Sequence, residues 1–207
     1  MRVFLLMAAA VILSSCANMS NFQTARALPK GYGRFMTGVS YFIAPAGTSP
    51  GRDIKYAMFE TNYRLGLWNR FEIGGKLTLP GTMNGDWKYE IFSDDKIAVA
   101  AGMGAGYLAF PAGTASPANQ FTRAMLEFWV PVYASYDFSP TLSASIVPRL
   151  HLRQEINGNP AIQKLIGSAM GVKLGKRVGF FIEFSYMRGL SSTRDQAQIG
   201  ACLFFGK

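Results

Sequence analysis

From about residue 33 to the end of the chain, apolar and polar positions alternate with period two, and Gly, Pro, Asn and Asp clusters interrupt the alternation at regular intervals. Two stretches show it best. Leu142, Ala144, Ile146, Leu150 and Leu152 alternate with Ser143, Ser145, Arg149, His151 and Arg153, and Phe71, Ile73, Leu77 and Leu79 alternate with Arg70, Glu72, Lys76 and Thr78. Successive side chains of a strand point to opposite faces, so each stretch predicts a strand with one apolar and one polar face. The pattern predicts ten such strands, at 33–43, 54–66, 70–80, 83–92, 96–109, 120–137, 141–155, 163–174, 177–188 and 196–206. No helical period, heptad or low-complexity tract competes with them. The fold class expected is all-β: an antiparallel up-and-down barrel over residues 33–207.

Alternation does not say which face points inward. A soluble barrel puts its apolar side chains inside and a membrane barrel puts them outside. Volume favours the membrane. The apolar face carries Phe35, Tyr41, Tyr63, Trp87, Tyr89, Phe128, Tyr136, Phe180, Phe184 and Phe205, and so many rings would overfill a ten-stranded interior. The polar face is small (Gly102, Gly104, Gly106, Gly167, Ala169, Gly171) or of mixed charge, as in Glu60/Arg64, Glu72/Lys76, Lys88/Glu90 and Arg123/Glu127. Connection lengths point the same way, because longer ones alternate with tight ones, as between the outer and periplasmic sides of outer-membrane barrels. With that topology Phe35, Tyr63, Phe71, Tyr136, Phe180 and Phe205 form a periplasmic girdle, and Tyr41, Trp87, Tyr89, Tyr107 and Tyr186 an outer one.

Parity then sends Arg34, Glu60, Arg64, Glu72, Lys76, Lys88, Glu90, Arg123, Glu127, Arg149, His151, Arg153, Lys173 and Glu183 into the lumen. Charges at that density must pair across the bore. The expected role is structural, or the narrow passage or binding of small molecules, with no catalytic residue and no cofactor. Two alternatives stand beside it. His151 is the only histidine; it shares a face with Arg149, Arg153 and Glu155 and would be the base of a lipid- or peptide-modifying hydrolase, with Asp86 near the outer rim. The other is a periplasmic lipid-anchored barrel that binds a hydrophobic ligand.

The ends of the chain add two resemblances. Arg2 and the apolar run Val3–Leu13 read as a signal peptide, too short to span a bilayer as a helix. Leu13-Ser14-Ser15-Cys16 resembles the lipobox of bacterial lipoproteins. The resemblance implies signal removal after residue 15, a lipid on Cys16 and, through Ala17, sorting to the outer membrane of a Gram-negative cell. Residues 16–32 have no period and read as a lipidated tether on the periplasmic side. At the other end, Gln198, Gly200, Leu203 and Phe205 in Gln198-Ile199-Gly200-Ala201-Cys202-Leu203-Phe204-Phe205 resemble the C-terminal β-signal of outer-membrane barrels, although Gly206-Lys207 follow the aromatic. The resemblances imply outer-membrane lipids, the lipoprotein-sorting machinery and the barrel-assembly machinery as partners, and a monomer is expected.

Charge changes little in this picture. The net charge of +9 is scattered singly, which suits anionic headgroups and gives no nucleic-acid footprint. With Cys16 lipidated, Cys202 has no partner, so neither a disulfide framework nor a cysteine zinc site is expected and no metal is assigned. Gly102-Met103-Gly104-Ala105-Gly106 lacks dinucleotide-loop spacing and a following helix. Pro131 and Pro148 fall within predicted strands and mark bulges or weakened pairing.

Overall fold

A computed structural model describes residues 20–45, 53–79, 81–111, 122–156, 162–190 and 195–206. Cys16 and the signal segment lie outside the described residues, as does the side chain of Arg123. Ten strands form: β1 (Gly33–Pro45), β2 (Asp53–Trp68), β3 (Phe71–Leu79), β4 (Thr82–Ser93), β5 (Ile97–Pro111), β6 (Thr122–Ser139), β7 (Leu142–Glu155), β8 (Gln163–Gly175), β9 (Val178–Gly189) and β10 (Gln196–Gly206). Each pairs antiparallel with its neighbours in sequence, and β1 closes on β10, with Phe35 opposite Phe205 and Ile43 opposite Ala197. Closure leaves no strand edge with unpaired amides, the condition for a sheet to live in hydrocarbon.

The two ends of the barrel differ. At one end, the turn end, lie the start of β1, the end of β10 and four connections of two or three residues. These turns have local causes. Arg70 and Gly175 take positive φ, at 69° and 112°. The Asp94 carboxylate accepts hydrogen bonds from the amides of Ile97 and Lys96, at 2.6 and 2.8 Å. Those amides hold the Asp94 pKa below the usual carboxylate value. At the other end, the loop end, the connections run up to ten residues.

Alternation resolves as the volume argument requires: most of the large apolar side chains point outward, and the charges on lumen parity point inward. This excludes the soluble barrel with an apolar cavity and defines a membrane-spanning barrel. One detail of the aromatic belts is corrected. Tyr89 pairs with Phe71 and Trp87 with Ile73, so both rings belong to the turn-end half. The register with β3 sets the height of β4, and strand parity alone does not carry it. At Pro131 the ladder is interrupted on both sides: pairing with β5 skips from Trp129 to Val132, and pairing with β7 skips from Pro131 to Ala134. Neither Pro131 nor Pro148 can donate to the ladder, yet the strands continue through them.

Met170 stands near the middle of β8, opposite Ile146 and Phe184, and faces outward. Replacing it with Arg should cost about 2–4 kcal/mol, as expected for a cation at the bilayer midplane. Urea titration of the protein in lipid, read by tryptophan fluorescence, measures this. A cost under about 0.5 kcal/mol would mean the face does not meet hydrocarbon.

Candidate functional site

Residues 20–28 were expected to be part of a tether, but they run through the inside of the barrel. Ser20, Asn21, Phe22, Gln23, Thr24, Ala25 and Leu28 are all buried there. Ser20 lies at mid-height, against Glu60, which sits opposite Gly38 halfway along β1. The chain then descends to the turn end, where Arg26 pairs with Asp137 and donates to the Asp94 carbonyl at 2.6 Å. A turn over Pro29–Tyr32, with Gly31 at φ 77°, leads into β1.

An extended segment sealed in a lumen must satisfy its amides and carbonyls from the wall, and the charged residues of the wall do so. Glu183 accepts from the amides of Asn21 and Phe22 at 2.6 and 2.7 Å. Glu90 accepts from Ala27 and Glu72 from Leu28, both at 2.7 Å. Lys88 donates to the carbonyls of Thr24 and Arg26 at 2.7 and 3.1 Å, and Lys76 to that of Ser20. The Ser135 hydroxyl accepts from the amide of Ala25 at 3.3 Å.

The same groups bind one another. Glu72 pairs with Arg64 at 2.6 Å and Lys88 at 2.9 Å, and Arg64 reaches Asp86 at 2.7 Å. Glu60 holds Lys76 at 3.7 Å and accepts from Ser20, Ser40 and Gln198. Glu127 binds His151 Nδ1 and, at 3.2 Å, Arg153. Arg34 and Lys173 stand over the Phe204 ring at 5.4 and 5.7 Å. Every charged lumen residue expected from parity that is described in full thus lies inside, but the pairing differs from the sequence grouping. Residues four apart on a strand are separated by about 13 Å, so the bridges cross between strands. Asp86 is also corrected: it lies at mid-lumen with Arg64 and Gln23 rather than at the outer rim.

Sequence reasoning missed the apolar part of the lumen. Phe42, Met58, Leu108, Met125, Leu165 and Met187 cluster inside near the loop end. Toward the turn end, Phe22 of the strap packs with Met36, Phe181, Cys202 and Phe204. Ala25 packs with Ala98, Ala100, Tyr133, Val147 and Ala169. The signal was present as Met, Phe and Leu on lumen parity, and as small residues too numerous to fill the bore by themselves. Of the terminal motif, Gln198 and Gly200 face the lumen while Leu203 and Phe205 face outward.

A cavity of about 10 Å³, lined in part by Asn21, Lys76, Asn84, Arg149 and His151, has room for about one water. Arg149 Nε and Nη2, His151 Nε2 and Asn21 Nδ2 have no hydrogen-bond partner among the described residues, and a water there would serve several of them. Trp129 stacks on His151 with centroids 6.0 Å apart. Glu127 orients the imidazole as it would a general base, but the cavity is too small for a lipid or peptide substrate.

No protein-family model and no curated protein matches the chain. Among solved structures, an outer-membrane channel from Pseudomonas putida F1 is similar at 10% identity and TM-score 0.49, over 88% of this chain and 98% of that one. The attachment invasion locus protein Ail of Yersinia pestis is similar at 10% identity and TM-score 0.36, over 85% of this chain and 99% of that one. The outer-membrane protease OmpT of Escherichia coli is similar at 8% identity and TM-score 0.42, over 90% and 98%. Likeness at this level supports no conclusion about activity, and the class assigned above rests on the barrel's own geometry.

Glu72 binds two buried cations and a strap amide at once, holding Arg64, Lys88 and the Leu28 amide. Glu72→Gln leaves two buried cations short of a counter-charge and should destabilise the barrel by about 3–5 kcal/mol. Lys30→Ala, at the exposed turn, should change stability by less than about 0.5 kcal/mol. Equal unfolding curves for the two variants would refute the network's structural role.

Proposed function

We propose that this chain is a small outer-membrane barrel closed by its own N-terminal strap, with a structural role or the passage of only very small solutes, and that it is not an enzyme. One observation carries the reading: the strap runs through the described lumen with its main chain bound by Glu183, Glu72 and Lys88, and the cavity beside it holds about 10 Å³. A general-diffusion porin keeps its charges around open water. Here they are committed to each other and to the strap. The hydrolase alternative has the Glu127–His151 pair in its favour and lacks a place for substrate.

The turn end is read as periplasmic, because outer-membrane barrels keep their short turns and both termini there. We further propose that Cys16 carries a lipid, on the strength of the Leu13–Cys16 motif. Strap and lipid constrain each other. Four links from Ser20 to Cys16 cover at most about 14 Å, whereas the stretch of β2 from Glu60 to its turn-end residue Trp68 rises about 20 Å. A lipid on Cys16 in that leaflet would therefore require the strap's first residues to leave the lumen.

In planar bilayers the purified protein should show no steady large conductance, and at most small flickering events. Stable porin-size currents from single barrels would overturn the closed-lumen reading and favour general diffusion. In cells, labelled palmitate should enter the native chain and not Cys16→Ala. Equal labelling of both would remove the lipid anchor from the proposal.

A further inference from the structure

The wall holds the strap chiefly by its main chain. Three carboxylates and two ammonium groups bind backbone atoms of Ser20, Asn21, Phe22, Thr24, Arg26, Ala27 and Leu28. Two barrel glycines are cut to its shape. A Cβ on Gly200 would meet the Phe22 ring at 2.8 Å, and one on Gly66 would run into the carbonyls of Leu28 and Pro29. Side-chain fit is closest at two places among the described residues. Phe22 fills an apolar pocket, edge-on to Phe181 with centroids 6.2 Å apart, and Ala25 is fully buried against alanines, Tyr133 and Val147. The strap's other side-chain contacts are weaker in selection: Gln23 reaches Asp86 at 3.3 Å, Ser20 meets Glu60, and the Arg26–Asp137 pair is partly exposed. Partly exposed pairs add little.

We propose that the lumen is a binding site for an extended polypeptide, read by its backbone together with an aromatic residue and, three positions later, a small one. Ser20–Leu28 is the occupant supplied in cis. A vacated lumen takes a separate peptide of the same chemistry, because its recognition groups are fixed to the barrel and need nothing from the covalent link through Pro29–Tyr32. Carboxylates and ammonium groups left without the strap would face one another and water at low dielectric, which favours refilling. The proposal rests on the same seated strap as the closed-lumen reading. It goes beyond that reading in making the strap exchangeable.

The test uses the full chain, folded with its strap in place, carrying a specific protease site inserted in the exposed Pro29–Tyr32 turn. After cutting, a fluorescent peptide of residues 18–29 is added to the barrel in detergent and followed by anisotropy. The cut barrel should exchange its strap for the peptide saturably, and the uncut barrel should not bind it. A peptide with Gln23, Thr24 and Arg26 all changed to Ala should bind within about threefold of the native one. Phe22→Ala should weaken binding by about tenfold or more, and Ala25→Phe should abolish it. The cut Gly200→Val barrel should lose discrimination at Phe22. A cut strap that never exchanges while the barrel stays folded would overturn the proposal. So would a vacated barrel that takes up no peptide, or an Ala25→Phe peptide that binds like the native one. Channel recordings on uncut protein remain a separate readout, so a conducting barrel that still exchanges its strap would sink the closed-lumen reading and leave this one standing.

Discussion

A backbone amide buried inside a barrel, away from water, must be given an acceptor. That constraint organises this structure. Glu72, Glu90 and Glu183 each accept from an amide of the strap while remaining on the wall that their own strands build. Lys76 and Lys88 do the converse for carbonyls. The wall charges are not a closed set of ion pairs. They are divided between one another and a peptide, and neither set of partners satisfies them alone.

The energetics of that division come close to balance. Seven charge-assisted bonds join wall to strap main chain, worth about 10–20 kcal/mol at about 1.5–3 each. Ordering nine strap residues costs about 9–18 kcal/mol of backbone entropy at about 1–2 each. Burial of Phe22 contributes a further 2 kcal/mol or so.

Much of the barrel was legible in the sequence because period two is a direct record of strand geometry. All ten strands fall within three residues of their expected ends, and the polar face of β7 reads correctly from Ser143 to Arg153. The strap was not legible for an equally physical reason. Periodicity records a surface with two environments, and residues 20–28 have lumen on every side, so Asn21, Gln23 and Thr24 are as buried as Phe22 and Ala25. What betrays such a segment is its container. Ala98, Ala100, Gly102, Gly104, Ala169 and Gly171 all point inward, and a bore lined by such small groups holds volume that only another piece of chain can fill. Pairing across the bore was legible, but not the individual partners, because only the register of the sheet says which charges of different strands meet.

The two layers flanking the polar centre give the lumen a direction. Near the loop end the interior is ringed by Phe42, Met58, Leu108, Met125, Leu165 and Met187, flexible or bulky groups that exclude water without fixing a partner. Toward the turn end the apolar clusters include two strap residues, Phe22 and Ala25, as structural members. Withdrawing the strap would therefore leave the loop-end layer intact while opening apolar pockets and unpaired charges toward the turn end. Such a barrel opens first from the side on which its short turns lie, and the loop-end ring remains the last barrier to any solute crossing it.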